Sequence, residues 1–329
     1  MPATITAISH YFPPDIYTNA YFENYLDTSD EWITTRTGIK ERHILKEGAT
    51  SDLIVPAAIK MFEKFNINPQ EIDVVVVATV TPDFMFPNTA SIIIDKLGIK
   101  NAWGYDVSAA CSGFIFALRT AASLVESGVA KKVLLCGGDK MSSITDYQDR
   151  ANAILFGDGG TTCLLEMSND PNYGILDQIL SIDGSGGKYL KLIAGGSFKP
   201  ASIETVKNGE HYLYQDGQPV FKAAVKGMAD VTLKLMEKNN LSGEDISYFV
   251  PHQANMRIIT ATAERMELPK DKVMINIDKY GNTTAATIPS CISEWYEAGK
   301  IHKGDNLILS SFGAGYTYGS VLLRWNMND

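Results

Sequence analysis

Cys111 in DVSAACSGF, His252 in VPHQAN and Asn282 in GNTTAAT are the residues of this chain whose types and settings could do chemistry. A thiolate attacks carbonyl carbon, a histidine moves or donates a proton, and an asparagine amide donates hydrogen bonds without titrating. Each also has a plainer reading. Free cysteines mostly pack in cores, a lone histidine is more often structural, and Asn-Thr-Thr before a helix is an ordinary cap.

The elements around Cys111 favour chemistry. Trp103, Tyr105 and Val107 alternate as in a strand, while Phe114, Ala117, Leu118, Ala121 and Ala122 recur at helical spacing. Cys111 falls at the junction, where free N–H groups and the positive end of a helix dipole are expected to ease ionisation of the thiol. Ala109, Ala110, Ser112 and Gly113 are small enough for an abrupt bend resembling a nucleophile elbow.

Two segments repeat. Residues 53–83 and 225–255 share a helix, an Asn-containing turn, an acidic linker and a buried strand. Residues 117–139 and 292–315 share a helix, a glycine cap, a basic turn and an apolar strand. The halves, taken as 1–171 and 172–329, imply an internal duplication whose two sheets pack with helices between and outside. In that scheme His252 takes the place of the Thr81-Pro82 loop and Asn282 the place of Cys111 itself, so all three residues converge. The GDGG of residues 157–160 lacks the Lys-Ser/Thr of a phosphate loop and reads as a tight hairpin turn.

Composition narrows the classes. The 329 residues are 45% hydrophobic and 20% charged, as in a soluble globular protein. A net charge of −9 disfavours nucleic acid and anionic membranes, so an acidic partner needs a local basic patch. Four scattered cysteines make neither a zinc site nor a disulfide framework. The opening residues lack a signal peptide and no run is long enough to cross a bilayer, so the chain reads as cytoplasmic. Trp32 beside Arg36 could hold a nucleotide or be an ordinary core tryptophan.

With DTSDEWITTRTGI at 27–39, FGDGG at 156–160 and SFGAGYTYGS at 311–320, these motifs resemble the beta-ketoacyl-acyl carrier protein synthase III family over essentially the whole chain. The resemblance implies an α/β, thiolase-like fold: two duplicated halves in a five-layered αβαβα sandwich. It implies a homodimeric acyltransferase that condenses a short acyl-CoA primer with malonyl-acyl carrier protein, releasing CoA and CO2. Coenzyme A is then part of a substrate, and neither cofactor nor metal is needed. Cys111 would accept the acyl group, His252 and Asn282 would hold the enolate formed on decarboxylation, and the amides of Cys111 and Ala314 would form the oxyanion hole. The CoA and pantetheine positions would be Trp32, Arg36, Thr37, Arg150, Gly217, Phe221, Ala254 and Asn255. Phe86 would reach across the dimer to floor the partner's acyl pocket, suggesting a short primer. Arg257, Lys222 and Arg265 would form the carrier-protein patch. The closing turn reads GAG where many relatives have three glycines, so Ala314 must still aim its amide, and the long 195–216 segment is placed to reshape the tunnel mouth. A Cys-His-Asn ketosynthase of secondary metabolism, with another acyl primer, is the alternative.

Overall fold

In a computed structural model the chain is described over residues 1–328. Ala3–Tyr11, Gly159–Met167, Val133–Asp139, Val74–Ala78 and Trp103–Val107 pair in that order as one sheet. Gly174–Ile182, Thr317–Arg324, Asn306–Gly313 and Tyr248–Pro251 pair in that order as a second. Where the first sheet has its fifth strand, Val273 makes a single parallel bridge to Phe249. Both sheets begin with two antiparallel pairings and continue with parallel ones. The first sheet draws on residues 3–167 and the second on residues 174–324, and we propose that the duplicated halves meet between residues 171 and 172.

Strand periodicity sets the layers. Val74, Val76 and Ala78 point to one face of the first sheet, where they join the helices Gly113–Glu126 and Thr287–Glu297 and the inner face of the second sheet, Leu307, Leu309, Val321 and Leu323. Val75 and Val77 point the other way, onto the helices Thr50–Phe65 and Thr89–Lys96. Phe249, Ile308 and Leu322 likewise face the helices Gly217–Lys238 and Met256–Arg265. Covered on both faces, these strands are continuous apolar runs, and the layers follow the order helix, sheet, helix, sheet, helix. A fully buried Leu or Ile of the central layer contributes about 1.5–3 kcal/mol.

The GDGG segment is not a tight hairpin turn. Phe156 bridges in parallel to Asn282 of the other half, and Gly159–Met167 is already strand. The glycines answer to crowding: a Cβ on Gly160 would lie 2.2 Å from the Leu53 carbonyl oxygen.

Candidate active site

The strand Trp103–Val107 ends two residues before Ala109, and a single helical turn, Ala110–Ser112, leads into Gly113–Glu126. Ala110 takes a left-handed φ of 49°, a strain of about 1–3 kcal/mol for a residue with a Cβ. The second half holds the bend in place. Ser112 Oγ donates to the Thr317 carbonyl (2.9 Å), Ser311 Oγ to the Cys111 carbonyl (2.8 Å) and Thr317 Oγ1 to the Ala109 carbonyl (2.9 Å).

The second half repeats this bend just beyond Asn282. Thr284, also at φ 49°, opens the turn Thr284–Ala286 before the helix Thr287–Glu297, so Ala285 is the counterpart of Cys111. Val74 pairs with Val133 as Tyr248 pairs with Leu307, which makes His252 the counterpart of Ala78 and not of Thr81. Both sequence assignments slip because residue-type similarity does not fix register in loops.

Cys111, His252, Asn282 and Ala314 nevertheless line one cavity of about 680 Å³, with walls from both halves. Burial, reinforced by the Asp139 carboxylate, pushes the Cys111 thiol up to about 12, against an Asn282 hydrogen bond that favours the thiolate. The direction is opposite to the easy ionisation expected of a helix start, because burial and the Asp139 carboxylate both disfavour the thiolate. Burial also pushes His252 down to about 3, leaving its imidazole neutral. Its Nδ1 lies 2.7 Å from Thr287 Oγ1, and its buried Nε2 has no protein partner. The Thr284 N–H donates to Asn282 Oδ1 (2.9 Å), so the Asn282 NH2 is the donor that faces Cys111.

Gly313 sits against the elbow so tightly that a Cβ there would be 2.8 Å from the Cys111 nitrogen. In the GAG turn Gly315, at φ 106°, takes the left-handed position, so Ala314 needs no unusual angle.

Trp32 is fixed by the helix Asp30–Thr37, whose cap Ser29 accepts from the Trp32 N–H (3.1 Å). Arg36 and Arg150 stack on its ring, with guanidinium carbons 4.6 and 4.9 Å from the centroid. Trp32, Arg36, Thr37, Gly217, Phe221 and Arg257 line the same cavity, as do Ala254 and Asn255. The Thr37 hydroxyl is spent within its turn, on the Ile33 carbonyl and the Ile39 N–H, and Asn255 Oδ1 caps the next helix through the Arg257 N–H. Arg257 also stacks on Phe221. Phe86, Lys222 and Arg265 stand away from the cavity wall: Phe86 and Lys222 are exposed, and Arg265 is paired with Asp230 at 2.7 Å. The 195–216 segment ends in a small ribbon, Leu190–Leu192 with Leu213–Gln215, whose Leu190, Leu192 and Leu213 line the cavity.

Asp139, Thr284 and Thr287 escaped the sequence reading. An acid closing the apolar strand VLLCGGD is the available signal for Asp139, Thr284 lies in the Asn-Thr-Thr that reads as a cap, and nothing in the pattern singles out Thr287.

A cysteine elbow facing neutral hydrogen-bond donors inside a duplicated α/β sandwich defines a thiol acyltransferase of the thiolase-like fold. Residues 105–184 match the family described as 3-oxoacyl-[acyl-carrier-protein (ACP)] synthase III, and residues 236–325 match its C-terminal region. The beta-ketoacyl-[acyl-carrier-protein] synthase III of Chlorobaculum tepidum is 54% identical over 99% of this chain and all of its own length. That of Phocaeicola vulgatus is 50% identical over 98% of this chain and 96% of its own. The crystal structure of 3-oxoacyl-[acyl-carrier-protein] synthase III from Aquifex aeolicus superposes with a TM-score of 0.90 at 40% identity, covering 98% of this chain and 100% of that one. The chain belongs to the beta-ketoacyl-acyl carrier protein synthase III family and is an acyl-transferring condensing enzyme.

Proposed function

We propose that the cavity carries out the initiating condensation of fatty-acid synthesis: a short acyl group passes from coenzyme A to Cys111 and is then joined to malonyl-acyl carrier protein. The observation that carries this reading is the convergence of Cys111, the unpartnered His252 Nε2 and the Asn282 amide in one cavity.

In the first half-reaction the Cys111 sulfur attacks the thioester carbonyl, its proton ends on the departing CoA sulfur, and the Cys111 and Ala314 amides hold the oxyanion. The exchange is proton-neutral, because the leaving sulfur takes up the proton that Cys111 gives away, although burial disfavours the attacking thiolate at rest. In the second, loss of CO2 from the malonyl thioester leaves an enolate whose carbon attacks the acyl-cysteine and returns Cys111 as thiolate, which takes a proton from solvent. The Asn282 NH2 and the His252 Nε2–H hold the enolate oxygen. For Nε2 to carry that proton Nδ1 must accept, and the Thr287 hydroxyl is the donor within reach. The Thr284 carbonyl, its other acceptor at 3.0 Å, is already served by the Thr287 N–H.

Trp32, flanked by Arg36 and Arg150, is the adenine and phosphate clamp, and Arg150 must swing off the ring to admit the base. Thr37, Gly217, Phe221, Ala254 and Asn255 shape the pantetheine slot. Neither half-reaction calls for a metal or a bound cofactor. Arg257 and Lys222 form the carrier-protein patch, and Arg265 is a weaker member because Asp230 already neutralises it. A homodimer is favoured by the sheet edge Trp103–Val107 and by Phe84, Met85 and Phe86, exposed to 57%, 80% and 87% beside it. Phe86, which is not part of the wall around Cys111 in its own chain, then floors the partner's acyl pocket. Among the described residues no helix is long and apolar enough to cross a membrane, and we place the enzyme in the cytoplasm. The names of the relatives favour fatty-acid initiation over a ketosynthase of secondary metabolism.

Intact-protein mass after mixing with a panel of acyl-CoA thioesters tests this reading. An acetyl adduct mapped to Cys111 is expected, absent in Cys111→Ser. His252→Ala and Asn282→Ala should keep the adduct and lose malonyl decarboxylation by about a hundredfold or more. Undiminished decarboxylation in His252→Ala would refute its role, and an adduct formed only with long or aromatic groups would favour the secondary-metabolism enzyme.

A further inference from the structure

Asp139 is wholly buried, and among the described residues its carboxyl forms no ion pair. Six donors converge on it. Oδ1 accepts from the N–H groups of Val80 (2.7 Å) and Thr81 (3.1 Å) and from the hydroxyls of Thr79 and Thr81 (both 2.9 Å), all in the first half. Oδ2 accepts from the Thr284 hydroxyl and the Ala285 N–H (3.3 Å) in the second. Three of the six are backbone amides, and these donors oppose the burial that pushes its pKa above the ordinary value.

What Asp139 holds matters for the reaction. Thr284 is in the left-handed region, which a β-branched residue rarely enters without restraint. Its N–H orients the Asn282 amide, and its carbonyl receives the helix whose first residue, Thr287, touches His252 Nδ1. A carboxylate beside a nucleophilic cysteine works against the thiolate, so the site keeps this charge in spite of the first half-reaction.

We propose that Asp139 and Thr284 are positioning residues for the decarboxylating half-reaction, the carboxylate anchoring Thr284 across the joint between the halves so that the Asn282 amide and the His252 ring face the enolate oxygen. This rests on the roles given to Asn282 and His252 above.

Asp139→Asn and Thr284→Gly test it, with Cys111 acylation and malonyl-thioester decarboxylation followed separately. Misaimed donors should lower decarboxylation by about tenfold to a hundredfold in both variants. Acylation should not slow in Asp139→Asn, where iodoacetamide should also alkylate Cys111 at lower pH because the opposing charge is gone. Thr284→Gly relieves the backbone strain but removes a donor to Asp139, so its melting temperature should fall only modestly while decarboxylation is lost, and Thr284→Ser should recover decarboxylation. If decarboxylation stays within threefold of the parent in both variants, or both half-reactions fall together with the melting temperature, Asp139 and Thr284 are structural and the proposal is wrong. If the parent itself acylates but does not decarboxylate malonyl thioesters, the failure belongs to the proposed function.

Discussion

The reactive residues are held in their uncharged forms. With Cys111 pushed up to about 12 and His252 down to about 3, burial disfavours a Cys-His ion pair. Alkylation of free Cys111 by iodoacetamide should therefore keep rising with pH beyond pH 10, with no plateau near neutrality. A plateau at pH 7 would reveal a thiolate that burial does not permit. His252 has the opposite sign of linkage to stability. Its folded pKa lies below the ordinary 6.5, so the unfolded chain binds the extra proton first. Folding stability should be full above pH 6.5 and lost as pH falls towards 3, by a few kcal/mol in order of magnitude. Urea unfolding of the parent and His252→Gln between pH 7 and 4.5 would show it, the variant losing the smaller share. The residue types were legible in the sequence, but their ionisation was not, because desolvation depends on walls contributed from more than a hundred residues away.

At the scale of elements, the site is a bend clamped from across the molecule. Hydroxyls of Ser112, Ser311 and Thr317 tie the elbow to the closing strands, and Gly313 leaves the Cys111 N–H uncovered. Gly313→Ala should fold, with a modest drop in melting temperature, yet form acyl-enzyme at least about a hundredfold more slowly, since its methyl would crowd the amide that must meet the oxyanion. Equal acylation rates in stopped-flow assays would show that this amide is not used. Strand and helix patterns announced the elbow, because periodicities of two and of three to four change over at Cys111. The same patterns could not tell a crowded glycine from a turning one, which is why GDGG was misjudged. Nor could they register the second bend, where Thr284 enters the left-handed region against its own preference and only Asp139 explains it.

Over the whole molecule the duplication was legible because both halves repeat buried apolar strands and capped helices in the same order. Its exact register was not, since loops diverge while layers persist. The electrostatics of the whole chain also bear on its partner. At a net charge of −9 the chain as a whole repels an acidic carrier protein, and the proposed patch at Arg257 and Lys222 must overcome that repulsion. Its affinity should fall as salt rises past about 0.1 M, where screening reaches about 10 Å, and Arg257→Glu should weaken it at least tenfold while acetyl transfer from CoA continues. Calorimetry at two salt concentrations decides this, and a salt-independent affinity would point to an apolar interface instead.

The two sheets pair Asp139, closing Val133–Asp139, with Gly313, closing Asn306–Gly313. Where the glycine leaves the Cys111 N–H open for a passing anion, the aspartate lays its own carboxylate on the matching Ala285 N–H. One half of this enzyme is thus a copy of the other with its anion hole permanently stoppered, an inhibited twin whose built-in occupant has become a structural part of the working site.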